Sequence, residues 1–90
     1  MKTDKFIGLL LDNKIEYEIN EQENTIEVFP SSNMSHNYTF VHDDRLETVK
    51  FAHSVHKRGS TLRFGTETGK RFLHNLEFAP HRITGKRKEV

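Results

Sequence analysis

The strongest constraint on this chain is a change of period at residue 14. From there "KIEYEI" sets Ile15, Tyr17 and Ile19 against Glu16 and Glu18, and "TIEVF" repeats the alternation with Ile26 and Val28. Successive side chains of a strand point to opposite faces, so a period of two with one apolar side is the pattern of a half-buried strand. The polar "NEQEN" between them predicts a hairpin whose loop is longer than the tightest type. Glu16, Glu18 and Glu27 then share one outer surface. Like charges across a strand pair destabilise it slightly. A solvated face explains them, and so, more sharply, does a face for a basic partner.

Before the change, "TDKFIGLLLDN" fits a helix of about three turns. Thr3 or Asp4 is the expected N-cap, Phe6, Leu9 and Leu10 share a face, and Asn13 closes it. After it, Pro30 and "SSNMS" break the sheet or start a wide connection, and "NYTFVH" reads as a third strand. Turn signals recur near residues 22, 33, 44, 58 and 67, the spacing of a strand meander.

The stretch "HDDRLETVKFAHSVHKRGS", residues 42–60, admits two folds. As a helix it has a capping-box spacing at Asp44 and Glu47 and a suitable end at Lys57-Arg58-Gly59. Its apolar residues, however, spread over more than half the wheel. As a strand, Val49, Phe51, His53 and Val55 share one face and Lys50, Ala52, Ser54 and His56 the other. With two alanines in the whole chain, the strand is favoured. "STLRFG" and "KRFLHNLEF" read as further strands joined by "TETG". The second places Phe72, His74, Leu76 and Phe78 on one face and ends at Pro80.

Ninety residues suffice for one small core. The expected fold is therefore α+β: one N-terminal helix followed by a mainly antiparallel meander sheet of five to six strands, open or curled into a small open barrel. Residues 1–80 form the expected single domain. Residues 81–90, with Ile83 as the only interior apolar anchor, form a basic flexible tail.

Several classes of chemistry fall away. The chain has no cysteine, so it has neither a disulfide framework nor a Cys-ligated zinc site. Its longest apolar run, "FIGLLL", is too short for a membrane span or a signal peptide, and a cytoplasmic location is expected. His53 and His56 could share a metal only on a helix; on a strand they point apart, so no metal and no cofactor are expected. The null role for His53 and His74 is that of partly buried sheet residues. Asp43 and Asp44 beside His42 could be a carboxylate pair, but adjacent aspartates are ordinary turn residues. "GTETGKR", residues 65–71, has three residues between its glycines where a phosphate loop needs four. It reads as a hairpin loop whose glycines take positive φ. With no nucleophile, metal set or acid–base pair around His36 or His42, the chain is expected not to be an enzyme.

Charge supplies the remaining signal. Residues 1–44 hold three Lys/Arg against nine Asp/Glu, net −6, and residues 45–90 hold eleven against four, net +7. Either the halves neutralise each other, or the basic half meets an anionic partner. Lys57, Arg58, Arg63, Lys70 and Arg71 interleave with Phe64 and Phe72. Cations can neutralise phosphates while exposed rings stack on bases. Alternation, by contrast, would place both rings in the core. The expected function is a non-enzymatic nucleic-acid-binding or regulatory module that contacts the phosphate backbone through those five residues. The alternative is a small protein-interaction module or inhibitor that binds a larger protein through its acidic hairpin or sheet edge.

Overall fold

The computed structural model describes residues 1–30, 36–59 and 62–85; the "SSNMS" connection, Ser60, Thr61 and the last five residues lie outside the described residues. Helix α1 spans Thr3–Asp12 and buries Phe6 and Leu10. Asn13 ends it: its side-chain Nδ2 donates to the Leu9 carbonyl at 2.8 Å. The start differs from the expected Thr3 or Asp4 cap. Lys2 occupies the N-cap position and makes no side-chain capping bond. Instead the Thr3 N–H donates to the Glu47 carbonyl at 2.9 Å. A tertiary backbone bond thus satisfies one of the donors left without a partner at the start of the helix.

Strands β1 (Glu16–Asn20), β2 (Thr25–Phe29), β3 (His36–Asp43), β4 (Thr48–His56) and β5 (Leu62–Arg63) follow. They form one antiparallel meander in sequence order, with β1 and β5 as its edges. The sheet stays open and does not close into a barrel. Lys2 makes an isolated antiparallel bridge to Thr48, at the opposite end of β4 from β5.

Ile26 and Val28 on β2 and Phe40 on β3 form the apolar face, over which α1 packs. Phe6 meets Phe40 with ring centroids 4.8 Å apart. β4 departs from simple alternation. Thr39 pairs with His53 but Phe40 pairs with Phe51, so Ala52 is the extra residue of a β-bulge. Val49 and Phe51 therefore face the helices, and beyond the bulge Ser54 and His56 do so. His53 and Val55 turn to the outer face. The expected row of Val49, Phe51, His53 and Val55 is broken in the middle.

The expected sixth strand is a helix. Residues Thr66–Phe78 form α2, which buries Gly69, Phe72 and Leu76. Phe72 stacks near Tyr38 at 4.5 Å and Phe40 at 5.4 Å. Phe72 and Leu76 are four apart and lie on one helical face, whereas His74 and Phe78 are exposed. Gly65 and Gly69, expected in a hairpin loop at positive φ, stand respectively at the N-cap (φ −61°) and inside the helix. Among the described glycines only Gly85 has positive φ. It follows the short helix α3, His81–Thr84, whose Ile83 is buried in the same core. Among the described residues, no helix is long and apolar enough to cross a membrane.

Candidate functional site

The five basic residues singled out from the sequence divide among three places. Arg63 lies on edge strand β5 opposite Ser54, so its Cα partner shares the helix-side face. Arg58 is exposed in the turn after β4, its backbone N–H bonded to His56 Nδ1 at 3.1 Å. Lys57, beside it, donates from Nζ to the Pro30 carbonyl at 2.8 Å, tying the turn to the end of β2. On α2, Lys70 and Arg71 point apart because adjacent helical residues diverge by about 100°. Lys70 lies 3.8 Å from Glu67, while Arg71 acts on the Tyr38 hydroxyl. Arg58, Arg63 and Arg71 form no ion pair among the described residues. Arg63, Arg58 and Lys57 thus belong to the β4–β5 edge and its turn, whereas Lys70 and Arg71 belong to α2.

Phe72 and Phe64, paired in the sequence reading, part company. Phe72 is core, and Phe64 is 65% exposed. Phe64 follows β5 on the outer face, its ring 5.9 Å from that of His53. Phe64 lies on the outer face with His53, while α1 and α2 pack on the opposite face of the sheet, so no layer lies over that ring.

On the helix side of the same edge, His36 and His56 are cross-strand partners with ring centroids 5.1 Å apart in a T-shaped contact. The His36 imidazole is held below its ordinary value of 6.5 by desolvation first, then by His56 and by Arg63. Burial raises the Tyr38 hydroxyl above its ordinary range, and Arg71 partly opposes this.

The opposite edge carries the other charge. Glu18 and Glu27 are directly opposed across β1 and β2, in a row that continues through Thr39 to His53. With Glu21 and Glu23 of the hairpin they line a groove of about 600 Å³. The outer sheet face therefore runs from acidic at β1 to aromatic at β5.

The Asp43-Asp44 pair separates into two roles. Asp43 Oδ1 accepts the N–H groups of Arg45 and Leu46, at 2.9 and 3.0 Å, which is the turn role its position predicts. Asp44 instead meets His42: Oδ1 lies 3.2 Å from Nδ1, and Oδ2 accepts from Asn24 Nδ2 at 2.8 Å. Sequence reasoning missed this Asn24–Asp44–His42 chain. Its only local signal is an acid two residues after a histidine at a strand end; Asn24 comes from another turn. His53 and His56 point to opposite faces of β4, and among the described residues no three His, Asp or Glu side chains gather to hold a metal.

The chain matches no protein-family model, no curated protein and no solved structure.

Proposed function

We propose that the chain is a non-enzymatic binding module for single-stranded nucleic acid, engaged at the β4–β5 edge. The observation that carries this is the exposed Phe64 ring, set against His53 on the outer face, with Arg63 on the other face of the same edge strand and Arg58 in the turn after β4, both without ion-pair partners among the described residues. An uncovered aromatic on one face of the edge, with arginines on its other face and in its turn, suits a strand that stacks a base on the ring and passes its phosphates over the edge. His36 and His56 line the helix side of the same edge, and Lys57 braces the turn that holds Arg58.

Fluorescence anisotropy with a labelled single-stranded oligonucleotide tests the proposal. Binding should weaken steeply with salt, and Phe64→Ala should cost roughly 1–3 kcal/mol of affinity, the usual worth of one stacked base. Replacing Arg58 and Arg63 together by Gln should reduce the salt slope by about 1.4, at roughly 0.7 per single-strand phosphate contact. Affinity should also rise as pH falls below 6.5, because a bound phosphate favours the protonated form that His36 resists in the free protein. No binding at low salt overturns the proposal.

One observation favours a second reading. The opposed Glu18 and Glu27, with no cation between them in register, fit a face kept for a basic protein. A partner captured through that face would be lost in Glu18→Gln/Glu27→Gln and retained in Phe64→Ala.

A further inference from the structure

The two edges of the sheet are unlike. β5 presents two residues and β1 five, and among the described residues no backbone bond reaches β1 on the side away from β2. The ladder fixes which groups that side exposes. The His42 N–H donates to the Asn24 carbonyl, just before β2, and bonded pairs alternate from there. Thr25, Glu27 and Phe29 therefore bond to Asn20, Glu18 and Glu16, while Tyr17 and Ile19 turn their N–H and C=O outward. Such a row of unpaired groups is a template for another strand. Edges are commonly blunted by a bulge, a proline or an inward-pointing charge, and β1 has none of these.

The side chains along this edge are sorted by face. Glu16 and Glu18 stand on the outer face, Glu18 opposite Glu27. Tyr17 and Ile19 stand on the helix side, where Ile19 is 53% exposed although it pairs with core residue Ile26. α1 extends that apolar strip. Ile7 and Leu11 are four apart, on the flank of the helix away from Lys5, which pairs with Glu77 of α2. Ile7 lines one cavity with Ile19, and Leu11 is 60% exposed. The edge is thus apolar toward α1 and acidic on the outer face.

We infer that the β1 edge takes up an extended segment of a partner protein, in which basic residues alternate with aliphatic ones, as a sixth antiparallel strand. The inference rests on the reading of Glu18 and Glu27 as a face kept for a basic protein, and adds how that partner docks. Its backbone bonds to Tyr17 and Ile19, which supplies affinity, and its alternate side chains supply specificity. Lys or Arg on the outer face meets Glu16 and Glu18, and the aliphatic side chains lie on the side of Ile19 and α1. The same charges disfavour a second copy pairing through its own β1, which would set glutamate beside glutamate. The β5 edge of a second copy carries Arg63 but, at two residues, is too short to span β1.

The test uses the peptide acetyl-Lys-Val-Lys-Ile-Lys-Val-Lys-amide and the same peptide N-methylated at its three aliphatic residues, the donors that face β1 in an antiparallel pair. Amide exchange is followed by NMR in the full chain. The first peptide should bind saturably at low salt and slow exchange of the Tyr17 and Ile19 amides at least about tenfold, leaving Glu18, already bonded to Glu27, unchanged. The N-methylated peptide should bind at least about tenfold more weakly. Ile19→Pro removes one outward donor and spares the ladder to β2, so it should weaken binding about tenfold, whereas Ile19→Thr, which keeps the N–H, should weaken it less than about threefold. Binding that leaves both amides unprotected, or that the N-methylated peptide retains, overturns the edge and leaves the acidic face as a basic-partner surface. No binding of either peptide at low salt overturns both. A free chain that sediments as a dimer with these amides already protected overturns the inference in favour of a second copy.

Discussion

Segments 48–56 and 70–78 invite the same reading, yet one is β4 and the other most of α2. Each places a large apolar residue at every second position with a histidine among them: Val49, Phe51, His53 and Val55 in one, Phe72, His74, Leu76 and Phe78 in the other. What separates them is a second pattern under the first. Gly69, Phe72, Leu73 and Leu76 also stand at helical spacing, and those are the residues α2 turns toward the core. Composition points the same way. Residues 69–79 contain no β-branched side chain, whereas β4 has Thr48, Val49 and Val55. Alternation over a few residues therefore does not identify a strand when its members also fall three and four apart.

The largest test of this contrast is Phe72→Ala. Phe72 is buried against Tyr38 and Phe40, so its loss should cost about 3–5 kcal/mol in a denaturant melt. Phe51, only partly buried on β4, should cost less than about 3 kcal/mol. If the two orders reverse, α2 does not cover the sheet as described. Gly69→Ala is next and more diagnostic. On an isolated helix, alanine would gain about 1 kcal/mol. Here its Cβ would fall 2.3 Å from Phe51 Cβ, a clash only backbone movement relieves. The expected net is a destabilisation of about 1–3 kcal/mol, and a rise in melting temperature would break the docking of α2 on β4.

Smaller effects probe the bulge and the helix exterior. Ala52, the extra residue of β4, lies at a break in the ladder, so Ala52→Asp should cost less than about 1 kcal/mol. Deleting Ala52 should also be tolerated, because it removes the extra residue and leaves Phe51, Ser54 and His56 inward and His53 and Val55 outward in a regular ladder. Phe78→Ser should change stability by less than about 0.5 kcal/mol, since Phe78 is 68% exposed on α2. On a sixth strand sharing a face with Phe72 it would have been severe. Circular dichroism melts of the three variants rank them directly.

The candidate site was legible in part. Arg58, Arg63 and Phe64 stand out in sequence because cations and rings alternate there, and the alternative that buried both rings was half right: Phe72 is core and Phe64 is not. No local pattern distinguishes them. Phe64 is uncovered because it lies on the outer face with His53, whereas Phe72 on α2 packs against the Phe40 face. Lys70 and Arg71, adjacent in sequence, part because their segment is helical. His42 and Asp44 meet at one turn, but Asn24 joins them only through the pairing that sets the His42 N–H on the Asn24 carbonyl at 2.8 Å.

Local physics alone determined the first helix, the β1–β2 hairpin, the order of the meander and the turn role of Asp43. Each rests on a period or a turn preference complete within some ten residues. The tertiary structure decided the rest. The five-stranded sheet has one apolar face, and a ten-residue α1, about 15 Å long, cannot cover it. Burial of that face by Phe72 and Leu76 makes residues 66–78 a helix, holds Ile83 in the core, and leaves Phe64 at the open edge. The bulge at Ala52 follows from the same packing: Phe51 must meet Gly69 while Ser54, two residues past the bulge, stays beneath the helices. Such contacts lie between segments distant in sequence, so no window of the chain contains them.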